Sequence, residues 1–281
     1  MSGEVFALVL VAAAFHATWN ALVKIRGDRL IAMVVITLAG SFFSLLVVPF
    51  VGVPSPASWT FLLASVLLHT GYHFFLPAAY NHGDLGQVYP IARGSSPLLV
   101  AIGALVFAGE TLTPIALLGT LCLATGVMAL TIERGSGIWS RPKPVIYALV
   151  TGVLIASYTV VDGIGVRKAG SALGFAVWLT VGDGILTFLI VSIWKGREIL
   201  TSAKQNLSVG LLGGILQVAA YWIVVWAMAI APMAMVSGLR ETSVLFAALI
   251  STFVLKEGFG VWRFISATLI AVGFAATKAS K

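Results

Sequence analysis

Residues 30–51 read LIAMVVITLAGSFFSLLVVPFV, a run with no charged position. A surface helix of a soluble protein keeps a polar stripe for water, and this segment has none on any face. It does not alternate like a barrel strand either, which crosses a bilayer in about ten residues. Its length matches the roughly 20 apolar residues that carry an α-helix through a hydrocarbon core about 30 Å thick. The segment reads as a transmembrane helix, and that reading decides the fold class.

Outward from it the same pattern recurs, with spans expected at 4–24, 30–51, 58–79, 85–108, 112–132, 144–165, 171–194, 207–229, 231–255 and 259–277. Polar breaks such as Lys24-Ile25-Arg26-Gly27-Asp28-Arg29, Asn81-His82-Gly83-Asp84 and Lys195-Gly196-Arg197-Glu198 separate them. Only 10% of the residues are charged, against about 25% in a soluble domain, which is too little to cover a water-facing surface. The sequence therefore predicts an all-α polytopic membrane protein of ten transmembrane helices, with no soluble domain. The apolar start is not read as a signal peptide: Met1-Ser2-Gly3-Glu4 holds no basic residue and the run continues to Val23. The net charge of +7 sits mostly between spans, with no basic helix or aromatic platform, so the expected partners are a small-molecule solute and the lipid bilayer rather than nucleic acid. Cys122 is the sole cysteine, which excludes an internal disulfide and argues against thiolate-bound metal. No cofactor is expected.

The two halves match each other. A shift of 147 positions lays Arg93 on Arg240, Ser96 on Ser243, Glu110 on Glu257 and Gly126 on Gly273, and a shift of 142 lays His16 and Asn20 on Tyr158 and Asp162. The expected domains are two five-helix repeats, 1–135 and 142–281. Five spans is an odd number, so the second copy enters the membrane from the opposite side, the inverted arrangement of alternating-access carriers with a solute site at the repeat interface. Lys and Arg concentrate in the loops after spans one, five, seven and nine, which by the positive-inside rule places both termini outside.

Ionisable groups inside a span cost at least about 2.5–3.5 kcal/mol each on insertion scales, so each is a functional candidate. Arg93 lies in Tyr89-Pro90-Ile91-Ala92-Arg93-Gly94-Ser95-Ser96-Pro97, where two prolines are expected to loosen the helix. Arg240 lies in Ser237-Gly238-Leu239-Arg240-Glu241-Thr242-Ser243. Two guanidinium forks suit carboxylate or phosphate-type oxygens; the alternative is a structural pair of Arg240 with Glu241. Glu241 and Asp162 are the candidate proton carriers, Asp183 reads as a bond to a neighbouring helix, and Glu110 and Glu257 as caps at span ends. His69 and His73 share one helix face; a metal site lacks a third ligand and an adjacent Glu, and cavity-lining hydrogen bonding is the leading reading, with a buried structural role the alternative. The expected solute-binding set is Arg93, Arg240, Tyr89, Tyr158, His16, Asn20, Trp19, Tyr72, His73 and Tyr221.

The order of these features resembles the drug/metabolite transporter superfamily, specifically its ten-span EamA branch. The resemblance is carried by Trp19-Asn20 with Lys24 closing span one, and by Gly83-Asp84-Leu85 leading into Val88-Tyr89-Pro90-Ile91-Ala92-Arg93-Gly94. Gly109-Glu110, Lys256-Glu257 and Leu239-Arg240-Glu241-Thr242-Ser243 complete it. It implies a multi-pass carrier of the bacterial inner membrane with a central cavity, relatives that export amino acids, other metabolites or toxic organic compounds, and both termini in the cytoplasm, opposite to the loop-charge reading. The His16-Ala17-Thr18-Trp19-Asn20 start is also similar to a phosphonate-utilisation-associated subgroup. The expected function is a secondary transporter moving a small anionic or zwitterionic metabolite (amino acid, organic acid or phosphonate-like) by alternating access, coupled to protons. An exporter of lipophilic cations is the alternative, which paired arginines oppose. A passive channel would need a filter or a ring of like charges, normally from several subunits, whereas the repeat resembles a rocking carrier; a membrane-embedded enzyme would need a Gly-x-Ser-x-Gly elbow or a His-Glu-x-x-His pair, and neither is present in the sequence.

Overall fold

The computed structural model describes residues 2–24, 29–82, 85–133, 142–196, 207–246 and 261–279. Among the described residues there are ten α-helices and no strand: α1 (Gly3–Lys24), α2 (Arg29–Val47), α3 (Trp59–His82), α4 (Leu85–Ala108), α5 (Pro114–Glu133), α6 (Pro142–Lys168), α7 (Ala172–Lys195), α8 (Leu207–Ile230), α9 (Met233–Arg240) and α10 (Val261–Ala279). Short 3-10 turns at Val48–Phe50 and Pro56–Ser58 join α2 to α3. Eight helices, α1 to α8, are long and apolar enough to cross a membrane, and α10 carries a shorter apolar stretch, Phe264–Thr277. The chain is a multi-pass integral membrane protein. With no water in the bilayer core, each backbone N–H and C=O must be satisfied within its own segment, which is why the apolar runs are helices. Their hydroxyls follow the same rule: Ser44, Thr120, Thr151 and Thr159 each donate to the carbonyl four residues back, so these side chains mark no site.

Two local expectations change. The ninth span, expected at 231–255, is α9 followed by a turn at Glu241 and Thr242 before helical geometry resumes at Ser243; residues 247–260, including Glu257, lie outside the described residues. Conversely, α4 runs unbroken through Pro90 and Pro97. Proline removes one donor and crowds one carbonyl, and packing of α4 between α5 and α6 holds the helix across both. At the break after Arg240, the Thr242 amide and hydroxyl both donate to Leu239 O, at 3.0 and 2.7 Å. The freed backbone is thereby re-satisfied locally.

The helices pack in pairs: α5 against α10, α3 against α6 and α7, α1 and α2 against α8, α4 against α6, and α2 against α7. Small residues permit the closest of these approaches. A Cβ placed on Gly273 of α10 would sit 2.7 Å from Gly119 O and 2.8 Å from Leu123 N of α5, and one on Gly126 would meet Ile270 at 2.9 Å. On α8, a Cβ at Gly214 would meet the Gly40 amide of α2 at 2.6 Å. Arg167 ties three helix ends together. It donates to Met228 O in the last turn of α8 and to Ala231 O just after it, and pairs with Glu110, whose other oxygen accepts from the Met233 amide at the start of α9. Glu110 thus caps a helix, but a helix of the other half rather than its own.

The α5–α10 contact is sensitive to added volume, because the obstructing atoms are backbone. Gly273→Ala is expected to destabilise by about 1–3 kcal/mol and to lower the melting temperature of the detergent-solubilised protein. Gly3→Ala, where a Cβ meets nothing within 4 Å, is the reference; equal melting of the two would contradict this packing.

Candidate functional site

The ionisable residues inside the bundle fall into three groups around one cavity. The first joins the halves. Arg93 of α4 is 1% exposed and Glu241, just past α9, is fully buried; Arg93 Nη1 donates to both Glu241 oxygens, at 3.1 and 3.3 Å. Arg240 Nη2 reaches Glu241 Oε1 at 3.5 Å. Arg240 Nε also lies 3.5 Å from that oxygen, but its N–H is not aimed at it and is left without a hydrogen-bond partner. Arg93 Nη2 contacts His16 Nε2 of α1; an arginine offers only donors, so His16 accepts through that nitrogen. The guanidiniums also lie over aromatic faces, Arg93 at 5.4 Å from the Tyr89 ring and Arg240 at 5.8 Å from that of Tyr158. Two fixed positive charges therefore share one carboxylate, and the group carries an excess of one.

In the second group, Asp162 of α6 is fully buried, accepts from Tyr221 OH of α8 and lies 3.2 Å from His69 Nε2 of α3. His69 also contacts Tyr221 OH at 2.9 Å and stacks on Tyr158 with ring centroids 3.9 Å apart. In the third, Asp183 of α7 accepts from Thr70 of α3 at 3.2 Å, with His73 Nδ1 3.5 Å away.

The cavity between these groups has an empty volume of about 670 Å³, its open mouth included. Its wall comes from α1, α2, α3, α6, α7, α8 and α9. Of the residues expected to contact solute, His16, Trp19, Tyr72, His73, Tyr158, Tyr221 and Arg240 line it. Arg93, Tyr89 and Asn20 do not; Arg93 lies behind Arg240 and His16 in the charge cluster, and the Asn20 amide donates to His16 O one turn back. Asp162 and Glu241 are likewise off the wall, each reached through residues that are on it.

Six polar wall residues were outside the expected solute-binding set: Thr37, Ser41, His69, Thr180, Asp183 and Gln217. Thr180, Asp183 and Thr187 recur at three- and four-residue steps, which puts them on one face of α7. That spacing was the available signal, obscured because Gly182 and Gly184 make Asp183 look like part of a close helix contact.

Replacing Glu241 leaves two buried guanidiniums uncompensated, at a cost of about 3–5 kcal/mol or more, whereas replacing Arg93 leaves Glu241 with Arg240. Glu241→Gln is expected to melt far below the parent and Arg93→Gln by less, and the double variant to lose clearly less than the two single losses combined. Additive losses would show that the two side chains do not interact.

Residues 142–277 match the EamA-like transporter family. No curated protein sequence matches the chain. A solved crystal structure shares its fold, with a TM-score of 0.74 and 17% identity over 97% of this chain and 94% of that one.

Proposed function

For a chain that carries an EamA-like transporter region over residues 142–277, we propose a secondary carrier of the bacterial inner membrane that moves a small anionic or zwitterionic metabolite by alternating access. The observation that carries the reading is Arg240: a guanidinium on the cavity wall, in a cluster with one positive charge in excess and with its Nε–H unpartnered. A buried donor without a partner costs about 1–3 kcal/mol, and an acidic oxygen of the solute would supply one. His16, Trp19, Tyr72, His73, Tyr158 and Tyr221 would complete the solute's surroundings, with Arg93, Tyr89 and Asn20 positioning them from behind.

Alternation requires two repeats, and the packing supports 1–135 and 142–281 as those units. Adding five to each helix number turns the α1–α8 contact into α6–α3 and α2–α8 into α7–α3, while α2–α7, α4–α9 and α5–α10 map onto themselves. Single residues follow the same exchange. Gly126 against Ile270 becomes Gly273 against Leu123 under the 147-position shift. His16 on Arg93 becomes Tyr158 on Arg240 when α1 is shifted by 142 and α4 by 147. An inverted pair of five-helix units satisfies all of these relations.

The coupling ion in this reading is a proton on Asp162. Glu241 has its charge balanced by two guanidiniums. Asp162 faces a histidine and a tyrosine, both proton-exchanging groups on the cavity wall, so His69 and Tyr221 offer a path between cavity and carboxylate.

Two measurements test the proposal. Thermal-shift titration of purified protein with amino acids, organic acids and phosphonates should reveal a stabilising acidic ligand. Arg240→Gln should weaken that ligand about ten- to a hundredfold, the loss expected for a charge-assisted hydrogen bond. Unchanged affinity, or stabilisation by cationic dyes alone, would move the protein to the lipophilic-cation class. In liposomes, Asp162→Asn should retain solute exchange at equal pH and lose flux driven by a pH gradient. Full coupling in that variant removes Asp162 as the proton carrier.

A further inference from the structure

We propose that Asp183 forms a second, negative pole of the same cavity and binds a cationic ammonium group, so that the solute is a zwitterion rather than a simple anion. The inference rests on the reading of Arg240 as the acid-binding pole. Asp183 is 6% exposed and lines the cavity from α7, whereas Arg240 lines it from α9. Thr70 and Thr187 donate to Asp183 Oδ1 at 3.2 and 3.4 Å, and His73 Nδ1 lies 3.5 Å from the same oxygen. Among the described residues no Lys or Arg lies within ion-pair distance of it, and Oδ2 has no hydrogen-bond partner.

Hydroxyl donors orient a carboxylate without cancelling its charge, and His73 offsets it only when protonated. A single negative charge on the wall of a membrane-embedded cavity calls for a cation. Arg240 does not provide it: the ion-pair contact of Asp183 is with His73, and the carboxylate in contact with Arg240 is Glu241. The cavity therefore presents opposite charges that do not neutralise each other, an arrangement complementary to a solute with an amine and an acid at separate places.

A purely structural Asp183, holding α7 to its neighbours, is the competing explanation. That contact is already made by small residues. A Cβ on Gly182 would meet Val66 of α3 at 2.9 Å, and one on Gly184 would meet Ser41 of α2 at 2.2 Å, so the helices touch without help from a carboxylate. A structural role also gives no reason for Asp183 to lie on the cavity wall.

The test uses triads of ligands sharing one carbon skeleton, such as leucine, 4-methylvalerate and isoamylamine, titrated against the full-length protein in detergent with melting temperature as readout. The zwitterion should bind at least about tenfold more tightly than the acid or the amine. Asp183→Asn, which keeps the shape and one acceptor, should lower zwitterion affinity to that of the acid and leave acid affinity unchanged. Acid and zwitterion binding equally in the unaltered protein would overturn the Asp183 assignment while leaving the acid-binding reading intact, and that arm needs no variant to fold. Amine binding without acid or zwitterion binding would overturn the Arg240 reading itself.

Discussion

Two arginines and one glutamate share a site deep in an apolar bundle, and much of the architecture follows from accommodating them. A guanidinium cannot shed its charge, so Arg93 at 1% exposure requires a carboxylate, and Glu241 supplies it from the turn after α9, in the other half of the chain. To present Glu241 there, α9 stops at Arg240 and the backbone turns at Glu241 and Thr242. The same turn leaves Arg240 with only a long contact to the shared carboxylate and one edge on the cavity. A pair that secures the two halves and a guanidinium on the cavity wall thus arise from one local geometry.

That arrangement gives the proposed carrier a physical link between solute and conformation. An acidic solute at Arg240 would compete with Glu241 for the guanidinium, and Glu241 is also the partner that ties α9 to α4. Binding would then shift the balance of contacts across the interface between the proposed repeats, which is the differential interaction a population shift requires. Glu110 and Arg167 fasten the other end of α9, since Glu110 accepts from the Met233 amide and Arg167 holds the carbonyls at the end of α8. The short helix is therefore held at both ends, and in the proposed carrier its cavity-facing end is the one whose partner would change.

Most of the fold was legible because membrane helices announce themselves by length and uniform apolarity. Runs such as 30–51 needed no context, and eight described helices confirm the reading. The EamA resemblance, drawn from short motifs across the chain, is matched over 142–277. The site was less legible for a specific reason. On a helix that is apolar all round, nothing in the pattern says which face meets a cavity, so Arg93 and Arg240 looked equivalent although only Arg240 lines it. Prolines misled in a similar way. The helix with two of them is continuous, while the broken one turns at Glu241 and Thr242, where tertiary contacts rather than proline set the geometry. Asp183 was hidden by its flanking glycines, and its polar face emerges only with Thr180 and Thr187 beside it.

The central claim is that this cavity, with Arg240 on its wall, opens alternately to the two sides of the membrane. Counterflow in proteoliposomes tests it most directly: vesicles loaded with unlabelled ligand are diluted into a trace of the labelled compound. The account predicts a transient accumulation of label above equilibrium by the unaltered protein and none by Arg240→Gln. Uptake that rises linearly with concentration and never overshoots would contradict it and point to a passive pore.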